Sequence, residues 1–125
     1  MKLKQTTVLK LNKKLVWEQL MKPAVLDYIS WPLLKFRYYS AAPLLWQTGT
    51  YTTELKLFGF IPFGQQSIEI EFVHSNNDTL ILRDNGHGQH IKKWDHWIYL
   101  LDKDEQTTQY TDEVEIGAGL ITPFI

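Results

Sequence analysis

Histidine and aspartate are the side chains in this sequence best suited to chemistry, and they fall in two groups. His87 and His90 lie in Gly86-His87-Gly88-Gln89-His90, with Asp95 and His96 soon after. Imidazole and carboxylate together suit zinc or iron. The first two, however, fall in a glycine-rich stretch that reads as a turn, where polar side chains are solvated. They also lack the helical i, i+4 register of a metalloprotease motif. No metal site and no cofactor is expected. The second group is His96 with Asp112. On the strand from Ile91 to Leu101, Trp94, His96, Ile98 and Leu100 share one face, and Asp95, Trp97, Tyr99 and Leu101 share the other. Both faces are apolar, so this strand does not reveal which one points inward. If His96 does, it meets Asp112, whose strand-mates Tyr110, Val114 and Ile116 read as core. Such a pair is costly to bury unless hydrogen-bonded, and it is the candidate catalytic or orienting dyad. The competing reading, favoured here, is an internal hydrogen bond that fixes neighbouring strands. Arg83 beside Asp84 is expected to make solvated contacts at a strand end. No nucleophile elbow, paired catalytic carboxylates or phosphate loop is present.

The elements that must position these groups alternate apolar and polar residues. The sequence has 125 residues, 44% hydrophobic and 22% charged, the composition of one globular domain over residues 1–125. A formal charge of -1 with mixed signs gives no reason to expect a nucleic-acid partner. Without cysteine there is no disulfide or thiolate site. The N-terminal residues lack a signal-peptide pattern and no stretch is apolar enough to span a membrane, so a cytoplasmic location is expected. Five Trp, six Tyr and six Phe are many for this length. Trp31, Phe36, Tyr38, Tyr39, Trp46, Tyr51, Trp94 and Tyr110 fill a core or line a pocket for a flat or greasy ligand.

Along the chain, residues 3–11 read as a strand. Asn12 stands at a helix N-cap before Leu15, Val16, Gln19 and Leu20 at helical spacing. Pro23 opens a second short helix to Ile29. Residues 30–48, broken by Pro32 and Pro43, read as a covering segment over a sheet edge or cavity mouth. Period-two strands then follow. Tyr51, Thr53, Leu55 and Leu57 oppose Thr52, Glu54 and Lys56; Ile68, Ile70 and Phe72 oppose Ser67, Glu69 and Glu71. Turns are expected at 59–64, at Asn76-Asn77-Asp78, at Asp84 to Gly88 and at Asp102 to Glu105. The last strand spans Gln106 to Ile116. The result is an antiparallel sheet with one face covered and one wet.

This order of elements resembles the START-like or SRPBCC superfamily, the helix-grip fold of polyketide cyclases, plant ligand-binding proteins and lipid-transfer domains. The local matches are Trp46-Gln47-Thr48-Gly49, Leu57-Phe58-Gly59-Phe60-Ile61-Pro62, Trp94-Asp95-His96 and Tyr110-Thr111-Asp112-Glu113-Val114. The resemblance covers the whole chain and implies an α+β fold: a curved antiparallel sheet of about six strands, with two short helices after the first. It also implies a long C-terminal helix gripped by the sheet, of which Gly117 to Ile125 supplies only a truncated start. The function implied is non-catalytic binding of a hydrophobic small molecule or lipid. The expected contacts are Tyr38, Trp46, Tyr51, Leu55, Ile70, Phe72, Leu82, Trp94, His96, Ile98 and Tyr110. One alternative is a cyclase/dehydrase-type enzyme using His96 and Asp112. The other is an interaction module whose exposed apolar trough drives homo-oligomerisation.

Overall fold

The computed structural model describes residues 2–25, 34–39, 41–75 and 78–117. Among these residues, seven strands and one full helix follow in the order β1 (Lys2–Leu9), α1 (Lys13–Leu20), β2 (Leu34–Tyr38), β3 (Gly49–Leu57), β4 (Ile61–Val73), β5 (Leu80–Gly88), β6 (Lys93–Asp104) and β7 (Thr107–Gly117). They form one open, curved sheet in the order β1-β7-β6-β5-β4-β3-β2. Every pairing is antiparallel. Strands β2 to β7 make a meander, and β1 returns to the free edge of β7.

The antiparallel sheet was legible from alternation and the α+β, helix-grip-like arrangement was implied by the resemblance, but three local expectations need correction. The first is strand count. Leu34–Tyr38, read as part of a cover, pairs with β3 from Leu34↔Leu57 to Tyr38↔Thr53 and raises the count from about six to seven. The second is the turn expected at 59–64, which is shorter. Phe58 and Gly59 both adopt positive φ (53° and 80°), and the Phe60 N–H donates to the Leu57 carbonyl at 3.2 Å. Two consecutive left-handed residues match the right-handed twist of a hairpin, so β4 already begins at Ile61. The third is Asp84 to Gly88, which is no turn. It continues β5, bonded on one side through Ser67↔His87 and Gln66↔Gly88 and on the other through Asn85↔Asp95 and Gly86↔Trp94. Pairing on both edges outweighs the local turn preference of Asn-Gly.

Curvature has visible causes. The β3–β4 register shifts between Glu54 and Lys56, and the facing segment of β4 carries Pro62, which cannot donate to the ladder. Gly64 follows at φ +81°, a conformation and a space that suit only glycine: an added Cβ would lie 2.6 Å from Gln89 Oε1.

The concave face carries the core. Val16, Trp46, Ile68, Ile70, Leu82, Ile98 and Leu100 form one buried cluster, and Leu55, Ile91 and Ile116 a second. Helix α1 lies over the first. Its N-cap is Asn12, whose Oδ1 accepts from the Leu15 N–H at 2.9 Å. A helical turn at residues 23–25 starts the second helix. The expected continuation to Ile29, the Trp31-Pro32 segment, and the helix start over 118–125 lie outside the described residues. Trp46 is tied to the end of α1 by its N–H, which donates to the Met21 carbonyl at 2.6 Å. The centre of the expected trough is therefore covered by α1 and Trp46 rather than exposed. Among the described residues, no helix is long and apolar enough to cross a membrane.

Candidate functional site

Strand β6 settles which way its faces point. Trp94, His96, Ile98 and Leu100 belong with the concave core, whereas Asp95, Trp97 and Tyr99 lie on the convex face. The convex face carries its own charge cluster. The Arg83 guanidinium donates to both oxygens of Asp95 at 2.9 and 3.2 Å and to Glu71 at 3.3 Å, and it lies 4.6 Å from the Trp97 ring centroid. Arg83 thus sits in mid-strand, part-buried, and not in solvated contacts at a strand end. The hydrogen bonds from Arg83 hold the Asp95 carboxyl below its ordinary pKa, and Asp95 in turn raises that of Arg83.

With β6 so placed, His96 meets Asp112. His96 Nε2 and Asp112 Oδ1 are 2.7 Å apart, and the Tyr110 hydroxyl donates to the same oxygen at 3.1 Å. Burial, and then the adjacent Asp112 charge, push the Tyr110 phenol well above its usual pKa, so it stays a donor. The edge of the Trp94 ring packs against His96 with centroids 6.4 Å apart. The ring is thereby fixed in orientation, held by one carboxylate and one aromatic neighbour.

Opposite His96 across β5 stands Asp84, which sequence reasoning placed in a turn and passed over. Its Oδ1 accepts from the Glu69 backbone N–H at 2.9 Å, in a stretch where Ile68 and Glu69 have no paired partner on β5. A side chain there substitutes for a missing rung of the ladder. Desolvation raises its carboxyl pKa to about 7, against the smaller lowering effects of the Glu69 hydrogen bond and of His96. At neutral pH this group is poised between acid and carboxylate. The available signal was its parity: Asp84 continues the inward series Leu80, Leu82.

These groups border two small cavities. The first, about 40 Å³, is lined by Leu20, Val25, Trp46, Ile68, Ile70, Leu82, Asp84, His96 and Ile98. The second, about 10 Å³, is lined by Phe36, Leu55, Gln66, Ile68, Asp84, Ile91 and Trp94. Asp84 and Ile68 belong to both. A drug-sized ligand fills roughly 300–1,000 Å³, so the first cavity as it stands holds only a water or a very small apolar group. Toward β1 the concave face opens into a shallow groove of about 350 Å³ along Leu3, Gln5, Asp112 and Val114.

Of the expected ligand contacts, Trp46, Ile70, Leu82, His96 and Ile98 line the first cavity and Leu55 and Trp94 the second. Tyr38, Tyr51 and Tyr110 pack against the core on the same face. Phe72 sits at the rim against Trp17, 41% exposed. Leu20, Val25, Ile68, Gln66, Asp84 and Ile91 were missed, and Phe36 was read only as one of the aromatic set. Among the described residues no three His, Cys, Asp or Glu side chains converge to hold a metal. His87 and His90 are exposed, and His90 packs beside Phe63.

No protein-family model and no curated protein matches this chain. Solved structures do. A conserved protein from Geobacillus kaustophilus aligns at 20% identity and TM-score 0.59, over 95% of this chain and 75% of that one. The Zhui aromatase/cyclase from Streptomyces sp. R1128 aligns at 12% identity and TM-score 0.58, over 95% and 68%. A protein from Nitrosospira multiformis aligns at 13% identity and TM-score 0.54, over 95% and 80%. At these identities the likeness is one of fold: a helix-grip-like sheet of the kind seen in the aromatase/cyclase.

Proposed function

We propose that the protein binds a small hydrophobic molecule on the concave face, between the sheet and the cover formed by α1 and Trp46. The observation that carries this reading is the first cavity, whose wall is apolar except for Asp84 and His96. A void lined mostly by Leu, Ile and Trp offers a water few partners and suits an apolar guest. Because the space is about 40 Å³, a ligand with a ring must displace the cover, and the link from Trp46 to Met21 is the contact to be released. The test is NMR of isotope-labelled Ile methyl groups during titration with toluene. Shifts at Ile68, Ile70 and Ile98, with those of Ile68 and Ile70 lost in a folded Ile98→Phe variant that fills the space, support the reading. Unmoved methyls at saturating toluene reject it.

A second reading is enzymatic, and the 2.7 Å contact between His96 and Asp112 favours it. With its Nε2 proton donated to Asp112, the imidazole keeps its other nitrogen free as a base, while a protonated Asp84 stands across the strand as an acid. That arrangement suits proton abstraction beside a carbonyl followed by loss of water, chemistry compatible with the aromatase/cyclase likeness. The check is hydrogen–deuterium exchange at the carbon next to the carbonyl of 2-tetralone, followed by NMR. Exchange no faster than in buffer, or equal in His96→Gln, removes this reading. In the groove along β1, Leu3 is 56% exposed. Self-association through it is judged by light scattering over a concentration series, where a constant monomer mass rejects it.

A further inference from the structure

The amide of Gln66, on the concave face, stands in a position that the fold does not explain. Gln66 is 4% exposed, and its Nε2 donates to no acceptor. Buried amide donors without a partner are costly and uncommon in native proteins. The side chain lines the second cavity, in which the other polar group is Asp84. Gly86 holds the space between them clear. An added Cβ there would lie 3.5 Å from Gln66 Nε2 and 3.1 Å from Asp84 Oδ1, and only 2.8 Å from the Ser67 carbonyl, which is backbone and cannot swing away. A donor and a carboxyl thus converge above a glycine, at the junction of two cavities whose walls are otherwise apolar but for His96.

We propose that this junction is a hydroxyl-recognition site, and that the ligand is a small apolar molecule, aliphatic or aromatic, carrying one neutral hydroxyl group. The proposal rests on the ligand-binding reading above and specifies its chemistry. A hydroxyl oxygen accepts from Gln66 Nε2 and its O–H donates to the Asp84 carboxylate, so the unpaired amide gains an acceptor and Asp84 gains a donor besides the Glu69 N–H. A ketone only accepts and gives an ionised Asp84 no donor beyond the Glu69 N–H. A carboxylate ligand adds a second negative group beside Asp84 in a poorly solvated space. A hydrocarbon leaves Gln66 as it was. Sites built to bond a hydroxyl discriminate strongly against the analogue that lacks it.

The experiment titrates the intact protein near pH 8 with toluene, p-cresol and 4-methylbenzoate, three probes sharing one ring, read by the Ile68, Ile70 and Ile98 methyl signals. The expected result is p-cresol binding about tenfold or more tighter than toluene, with 4-methylbenzoate weakest. Gln66→Met is expected to narrow the gap between p-cresol and toluene to below about threefold. Equal affinities of wild-type protein for toluene and p-cresol, or a gap that persists unchanged in folded Gln66→Met, overturn the hydroxyl site while leaving hydrophobic binding intact. Absence of binding by all three removes both. The wild-type series decides the matter alone if the variant does not fold.

Discussion

Replacing Asp84 with Asn isolates the cost of burying a carboxyl in the middle of this sheet. Asn keeps an Oδ1 that accepts from the Glu69 N–H, so the substitute rung survives while the ionisable group is lost. The carboxyl is raised from 3.8 to about 7 in the folded protein. Each pKa unit corresponds to about 1.4 kcal/mol, so the full effect is about 4 kcal/mol. Between these two values the folded state holds a proton that the unfolded chain has released. Wild-type stability therefore falls as pH rises through that window, and is level with respect to this group below and above it. The variant lacks this component. Its stability relative to wild type is expected to rise by about 4 kcal/mol from pH 4 to pH 8. Urea unfolding at a series of pH values, with the midpoint read at constant m, measures the difference. The other ionisable groups are common to both proteins, and their contributions largely cancel. Two stability profiles that stay parallel across the window would show Asp84 to be no more desolvated in the folded protein than in the unfolded chain.

Three other outcomes follow from the same geometry. Asp112→Leu strips the acceptor from both His96 Nε2 and the Tyr110 hydroxyl and is expected to cost about 2 kcal/mol or more in urea unfolding, with Asp112→Asn costing clearly less because it retains an acceptor oxygen. Gly86→Ala forces a Cβ against the Ser67 carbonyl at 2.8 Å and is expected to lose about 1–3 kcal/mol by thermal melting, whereas Gly117→Ala, whose nearest neighbour is the Lys93 Cβ at 3.4 Å, stays within about 0.5 kcal/mol. Arg83→Lys loses the two-pronged bond to Asp95 and the contact with Trp97, at an expected cost of about 1 kcal/mol. That loss shrinks as pH falls through the lowered Asp95 value, since the bond then stabilises neither protein; a loss independent of pH would show that packing on Trp97 dominates.

Alternation of side chains determined most of the sheet. Tyr51, Leu55, Ile68, Ile70, Val114 and Ile116 each point inward as their parity requires, because a strand with one wet face can bury only every second residue. The Asn12 cap and the apolar stripe behind it likewise placed α1, since a helix start is satisfied by residues within one turn. Strand β6 defeats this logic, as Trp97, Tyr99 and Leu101 are as greasy as Trp94, Ile98 and Leu100. Only pairing with β5 and β7 on either side chose the inward set, and with it the meeting of His96 and Asp112. Leu34–Tyr38 became a strand because β3 offered a free edge, a partner that no local window contains. Asp84 shows the limit most plainly. Next to Asn85 and Gly86 it carries every local mark of a turn, yet its proton affinity is set by Glu69, His96 and the apolar walls that three strands bring around it. Desolvation belongs to the space a side chain enters, and that space exists only once distant segments have packed.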